Sequence, residues 1–252
     1  MSGQPLAHRV AVVTGSSRGI GKAIAVRLAR EGATVIINAS TSAAEARRAA
    51  AELPVVNGQR HDVLMADVGD PKDVARLMRA VGRRHHRLDI LVNNAGVTRF
   101  VEHRRLDELD AALFDRIYQV NVRGAFLCVQ QALPLLHKSR AACVINVASI
   151  ASLTGIGSNV AYCASKAALV TMTKSLARAL APRIRVNAVS PGLTETELIR
   201  GWTRYRREQA RRTPLGRLAR PEDVADAVCA LATSLHYVTG HNLIVDGGRI
   251  LN

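Results

Sequence analysis

Seven short runs of β-branched and apolar residues, each separated from the next by a longer stretch, constrain this chain most. They are Val10–Thr14, Thr34–Asn38, Asp62–Ala66, Asp89–Asn93, Cys143–Val147, Ile184–Val189 and Asn242–Val245. The runs are apolar on successive residues, as expected of strands covered on both faces. The stretches between them have helical period; in Ile20–Arg30, for example, Ile20, Ile24 and Leu28 recur every fourth residue. This alternation predicts an α/β fold, a seven-stranded parallel sheet with helices on both faces. Across 252 residues there is no linker, repeat or low-complexity tract, so one domain over 1–252 accounts for the chain.

Composition removes several classes of protein. No apolar run approaches the roughly 18 residues that cross a bilayer. Residues 1–9 are too polar and too short for a signal peptide. Cysteines at 128, 143, 163 and 229 offer neither a CxxC pair nor a disulfide framework, which points to buried thiols in a reducing cytoplasm. No membrane partner is expected. The net charge of +15 comes mostly from arginine, five of the 35 basic residues being lysine. Aromatic residues make up 3% of the chain and no nucleic-acid motif is present, so no nucleic-acid partner is expected either. The densest basic stretch is Arg200, Arg204, Arg206, Arg207, Arg211, Arg212, Arg217 and Arg220, which would attract an acidic partner or substrate.

The first run leads directly into Thr14-Gly15-Ser16-Ser17-Arg18-Gly19-Ile20-Gly21. Glycines here let a backbone approach a pyrophosphate, and the free amides at the start of the next helix attract its charge. The spacing is G-x-x-x-G-x-G, not the generic G-x-G-x-x-G. A tight connection could also use these glycines, but their place after the first strand favours a dinucleotide. The second strand ends Ile36-Ile37-Asn38-Ala39-Ser40-Thr41, with no carboxylate before Glu45 to bind ribose hydroxyls. Asn38, Ser40 and Thr41 are neutral hydrogen bonders, and Arg18 suits a 2′-phosphate. NADP(H) is therefore expected rather than NAD(H), and Asn38→Asp is expected to shift the preference toward NADH.

Tyr162 and Lys166 lie four apart, on one face of a helix. A nearby ammonium would favour the phenolate and lower the tyrosine pKa. Many such pairs are ordinary helix-surface neighbours; the company of Ser149, at the end of the fifth strand, gives this one meaning. No HExxH or cysteine cluster suggests a metal, and no G-x-S-x-G elbow suggests a hydrolase.

With these residues in place the chain resembles the short-chain dehydrogenase/reductase family over nearly its whole length. The glycine turn matches the family's TGxxxGxG, Asn93-Asn94-Ala95-Gly96 its NNAG, and Tyr162 to Lys166 its YxxSK. Asn121 and Ser149 fall at its other catalytic positions. The resemblance implies a Rossmann-like sheet and a homotetramer. It implies that Tyr162 exchanges a proton with the substrate oxygen, Ser149 holds that oxygen, and Lys166 binds the nicotinamide ribose. Asn121 would anchor a relay water. Asn94, Ala95 and Gly96, Asp67 and Val68 toward the adenine, and Pro191, Gly192 and Thr194 toward the nicotinamide, would complete the cofactor site. The apolar helical segments Leu106–Lys138 and Val160–Ala181 read either as a subunit interface or as a well-covered core.

The segment 193–220 is, by the same resemblance, a lid over the substrate. Pro214-Leu215-Gly216-Arg217-Leu218, Pro221-Glu222-Asp223-Val224-Ala225 and Asp246-Gly247-Gly248 resemble 3-oxoacyl-carrier-protein reductases. Arg140 and Arg183 fall where those enzymes carry basic residues for an acidic carrier. The loop from Val97 through Asp107 is longer than in those enzymes, which keeps a sugar, polyol or other small carbonyl compound open as substrate. A non-catalytic NADP(H)-binding regulator is the remote alternative.

Overall fold

Each expected run forms a strand: β1 Val10–Val13, β2 Thr34–Ala39, β3 Asp62–Met65, β4 Ile90–Asn93, β5 Ala142–Val147, β6 Ile184–Pro191 and β7 Asn242–Val245. The computed structural model describes residues 4–197, 201 and 203–252, the Arg204 side chain excepted. All neighbouring strands pair in parallel, in the order β3-β2-β1-β4-β5-β6-β7. The chain starts mid-sheet, winds out to β3, crosses back past β1 to β4, and then winds to β7. That reversal opens a crevice beyond the carboxyl ends of β1 and β4, where sheets of this kind take ligands.

Two cores explain why the strands are apolar on successive residues. Helices α1 (Gly19–Arg30), α2 (Ala43–Ala51) and α9 (Pro221–Thr233) cover one face, placing Ile24, Leu28, Ala46, Val224 and Val228 against Val13, Val35 and Ile145. Helices α3 (Pro71–His85), α5 (Ala125–Leu136) and α7 (Val160–Leu180) cover the other, with Leu77, Val129, Ala132 and Ala177 against Val12, Leu91 and Val144. Val12 and Val13 thus feed opposite cores, as the pleat requires. All four cysteines are buried and unpaired; burial pushes the Cys128 thiol up to about 12 and Cys143 to about 11.

The helical stretch expected over Leu106–Lys138 is broken. A 3-10 turn (Leu106–Glu108) precedes α4 (Ala111–Tyr118), and a π turn (Gln119–Gly124) joins α4 to α5. Gly124 at the end of that turn lies against the Val68 backbone, where a Cβ would stand 2.8 Å from the carbonyl oxygen. The outer side of these helices exposes Phe114 and Phe126, and Phe114 stacks on Tyr118. Short α6 (Ala151–Thr154) and α8 (Thr203–Arg211) complete the fold. No helix among the described residues is long and apolar enough to cross a membrane.

Candidate active site

The glycine turn is fastened from beneath. Thr14 Oγ1 accepts the N–H groups of Asn94 and Ala95 at 3.0 Å, while Asn94 Nδ2 donates to the carbonyls of Thr14 and Gly15 at 2.9 Å. Gly15 holds φ +60°, and a Cβ there would stand 2.9 Å from Ala95 Cα. A Cβ on Gly21 would collide with the Asn94 amide. These two glycines therefore let the turn pack directly on Asn94 and Ala95, with no room for a side chain between. Helix α1 begins at Gly19 with no side-chain cap and no acid in its first turn, so its amides remain available to an anion. Ile20 packs half-buried on the core beside them. A cleft of about 770 Å³ lined by Gly19, Lys22, Glu195 and Arg206 opens between α1 and α9, away from Tyr162.

At the end of β2 the expectation for Asn38 needs correction. Its side chain is 1% exposed and works inside the protein. Oδ1 accepts the Gly15 N–H at 3.2 Å, and Nδ2 donates to the carbonyls of Leu64 and Ala66 at 3.1 Å. Asn38 therefore stitches the glycine turn and β3 together beneath the cofactor surface. Ser40 and Thr41 are exposed at that surface, as is Arg18. One carboxylate that spacing alone did not suggest reaches the turn: Glu45 accepts from Ser17 Oγ at 3.3 Å.

The expected catalytic residues come together at the other side of the crevice. Ser149 lies just past β5, its hydroxyl accepts the Ala151 N–H at 3.1 Å, and it opposes the rise that burial imposes on the Tyr162 pKa. Asn159 caps α7 by accepting the Tyr162 N–H at 2.7 Å, which fixes the start of the helix that carries Tyr162 and Lys166. Lys166 Nζ donates to the Val147 carbonyl at 2.7 Å and stands 5.8 Å from the Tyr162 ring centroid. Gly96 completes the wall; a Cβ there would stand 3.7 Å from Lys166 Nζ. On the nicotinamide-side turn, Pro191 accepts the Ile150 N–H and so ties the Ser149 turn to its own, while Thr194 Oγ1 donates to Gly192 O.

Comparison with known proteins agrees with this geometry. The family model described as Enoyl-(Acyl carrier protein) reductase matches residues 15–249. The chain is 37% identical to the 3-oxoacyl-[acyl-carrier-protein] reductase of Thermotoga maritima, over 98% of this chain and 99% of that one. It is 39% identical to a cis-4-hydroxycyclohexanecarboxylate dehydrogenase of Sinomonas cyclohexanicum, over 98% of each. A solved structure from Burkholderia xenovorans, described as a short-chain dehydrogenase/reductase, superposes with a TM-score of 0.88 at 36% identity, covering 97% of this chain and 98% of that one. The chain belongs to the short-chain dehydrogenase/reductase family. It is an oxidoreductase of the alcohol–ketone pair with a nicotinamide cofactor.

The electrostatics of this short-chain dehydrogenase/reductase differ from expectation at one point. Burial raises the Tyr162 pKa above the ordinary phenol range, opposed by Ser149. The expected lowering by Lys166 is absent from the chain alone. The ammonium lies beside the ring, is engaged by Val147, and is itself brought down to about 8 by burial. Tyr162 therefore rests protonated.

Asn121 sits in the π turn with its side chain committed to the protein. Its Oδ1 accepts the Val97 N–H at 2.8 Å, and Nδ2 donates to Val97 O and to Ser165 Oγ at 3.1 Å. Ser165 in turn donates to Tyr162 O. Asp67 accepts from Gly69 N and pairs with Arg116; Val68 is buried beside it. A polar line that sequence reasoning missed runs from Asn93 to Asn146 to Thr173, tying β4, β5 and α7. Its signal was a polar residue inside two otherwise apolar runs. Arg140 and Arg183 lie exposed just before β5 and β6, whose first residues Ala142 and Ile184 are in register. That is the amino edge of the sheet, opposite Ser149. Of the lid stretch, 198–200 and 202 lie outside the described residues, and with them Arg200.

Proposed function

We propose that this enzyme reduces a 3-oxoacyl group carried on an acyl carrier protein, using NADPH, within a homotetramer in the cytoplasm. The observation that carries the reading is the placement of Ser149 just past β5 beside the start of α7, whose Tyr162 is raised in pKa by burial and whose Lys166 is held by Val147. Bound in the crevice, the nicotinamide supplies hydride. Gly15, Ser17, Arg18, Gly19, Ile20 and Gly21 would hold its pyrophosphate side, Ser40 and Arg18 the 2′-phosphate, and Asp67 and Val68 the adenine. Asn94, Ala95, Gly96, Pro191, Gly192 and Thr194 would border the nicotinamide half, with Lys166 on the ribose. Ser149 and Tyr162 donate to the substrate carbonyl oxygen, and Tyr162 gives it the proton. Asn121 supports the relay that restores that proton. The segment 193–220 closes over the substrate, and exposed Phe114 and Phe126 support burial of α4 and α5 between subunits.

A second reading, reduction or oxidation of a small carbonyl compound, draws on the 39% identity to the Sinomonas enzyme. It also draws on the 97–107 loop, which is knitted to the start of α7 by Val101 N to Ser158 O and Asn159 Nδ2 to Arg99 O. NADPH absorbance with a panel of carrier-bound 3-oxoacyl, free 3-oxo ester, alicyclic ketone and sugar substrates decides between them. Turnover confined to sugars or alicyclic ketones would overturn the acyl reading.

A further inference from the structure

The turn that follows β7 reaches from the nicotinamide side of the crevice to the lid helix. Gly192 donates its N–H to Val245 O at 2.9 Å, and Leu215 donates to Gly247 O at 3.1 Å. Gly247 and Gly248 hold φ +63° and +84° pressed on Thr213 and Pro214, where Cβ atoms would stand 2.8 and 2.9 Å from those side chains. The Asp246 carboxylate accepts the N–H groups of Gly248 and Ile250, folding the turn so that Arg249 faces α8. There the Arg249 guanidinium donates from Nε and NH2 to Gln209 Oε1 at 3.4 and 3.3 Å and from NH1 to Asn252 O at 3.0 Å. Asn252 Nδ2 donates to Arg212 O at 3.3 Å.

Helix α8 needs such ties. Its nine residues, Thr-Arg-Tyr-Arg-Arg-Glu-Gln-Ala-Arg, contain no apolar stripe to bury, and a helix this short does not hold by itself. Like charges on Arg206, Arg207 and Arg211 add repulsion. One tie, Arg206 to Glu195, faces the β6 side. The other end is held by the turn after β7.

We propose that Arg249 is a positioning residue that latches α8 in the place from which it closes on substrate, acting through Gln209. The proposal rests on the lid reading given above. Arg249→Ala and Gln209→Ala, singly and together, test it in the full-length enzyme. Each single change should raise KM for the carbonyl substrate roughly three- to ten-fold, the scale of one charge-assisted hydrogen bond. The kcat should stay within about two-fold and NADPH affinity should not change. Trypsin should cut faster after Arg206, Arg207 and Arg211. The double variant should be no worse than Arg249→Ala alone, because that change already removes the Gln209 tie. Arg249→Lys, which keeps one donor, should recover part of the lost KM. Unchanged KM and unchanged trypsin cleavage in both single variants would overturn the latch, as would additive effects or a matching loss of NADPH affinity. A wild-type enzyme that oxidises NADPH with no carbonyl substrate would refute the reductase reading instead, and the trypsin cycle would still decide the latch.

Discussion

Lys166 donates its hydrogen bond to the carbonyl of Val147, at 2.7 Å, with only 4% of the residue exposed. One carbonyl does not replace the hydration of an ammonium, and burial brings the Lys166 pKa down from 10.5 to about 8. A gap of that size corresponds to about 3 kcal/mol. Lys166→Met should therefore raise thermal stability at pH 7 while lowering turnover steeply. Between about pH 8 and 10.5 the unfolded chain holds a proton that the folded chain has released, so wild-type stability gains with pH across that window. The methionine variant lacks that gain. Melting curves of both proteins at pH 7 and pH 10 check it, and an equal pH response in the two would contradict it.

Tyr162→Phe should lower turnover by about 10²–10⁴-fold, the usual worth of a positioned acid. Fold and NADPH affinity should stay close to wild type, since only the phenol oxygen is removed and the ring remains. Because burial raises the Tyr162 pKa, the acid stays protonated past the ordinary phenol range. A loss of reductase rate near pH 8 would then trace to Lys166, and it should be missing from the residual activity of Lys166→Met. Stopped-flow rates across pH 6 to 10, with circular dichroism on each variant, provide the measurement.

Cofactor choice should follow the exposed residues at the turn. Arg18→Ala should weaken NADPH about ten-fold and leave NADH nearly unchanged, because a guanidinium pairs with phosphate. Ser40→Asp should shift preference in the same direction by repulsion. Glu45→Gln should tighten NADPH by removing the carboxylate that accepts from Ser17 in the glycine turn. Paired dissociation constants at fixed ionic strength test all three. If NADH binds the wild type as well as NADPH does, the NADP(H) assignment fails.

Asn38→Asp should damage the fold instead of switching the cofactor. The new carboxylate would face the carbonyls of Leu64 and Ala66 where Nδ2 now donates. Loss of two buried donors and the approach of like partial charges should cost about 2–4 kcal/mol. A drop in melting temperature with an unchanged NADPH to NADH ratio is the expected result. A switched ratio at wild-type stability would restore the reading taken from spacing.

Most of the scaffold was legible because short, β-branched runs of successive apolar residues, alternating with stretches of helical period, are what strands buried on both faces show. Each strand falls within about two residues of its run, β6 continuing two further to Pro191. The Ser149, Tyr162 and Lys166 cluster was legible from helical spacing and the strand-end rule. What spacing could not supply was depth. Asn38 is buried within β2 under the turn, whereas Ser40, just past the strand end, is exposed. The π turn around Asn121 was hidden because one extra residue per turn leaves a short apolar pattern nearly unchanged. Arg140 and Arg183 could have been placed by topology alone. Both precede strands of a parallel sheet, and ligands gather at the opposite ends, about 20 Å away along six residues.

The fastening of the glycine turn bears on the rate of each catalytic cycle. Thr14, Asn38 and Asn94 hold residues 14–16 in shape through the protein's own hydrogen bonds. The shape of this turn is thus set by the protein and not by a dinucleotide, so the turn itself adds little ordering entropy to binding. Oxidised cofactor can leave and reduced cofactor enter without that turn refolding. Exchange is then governed by the segments that cover the crevice, not by the floor on which the cofactor rests.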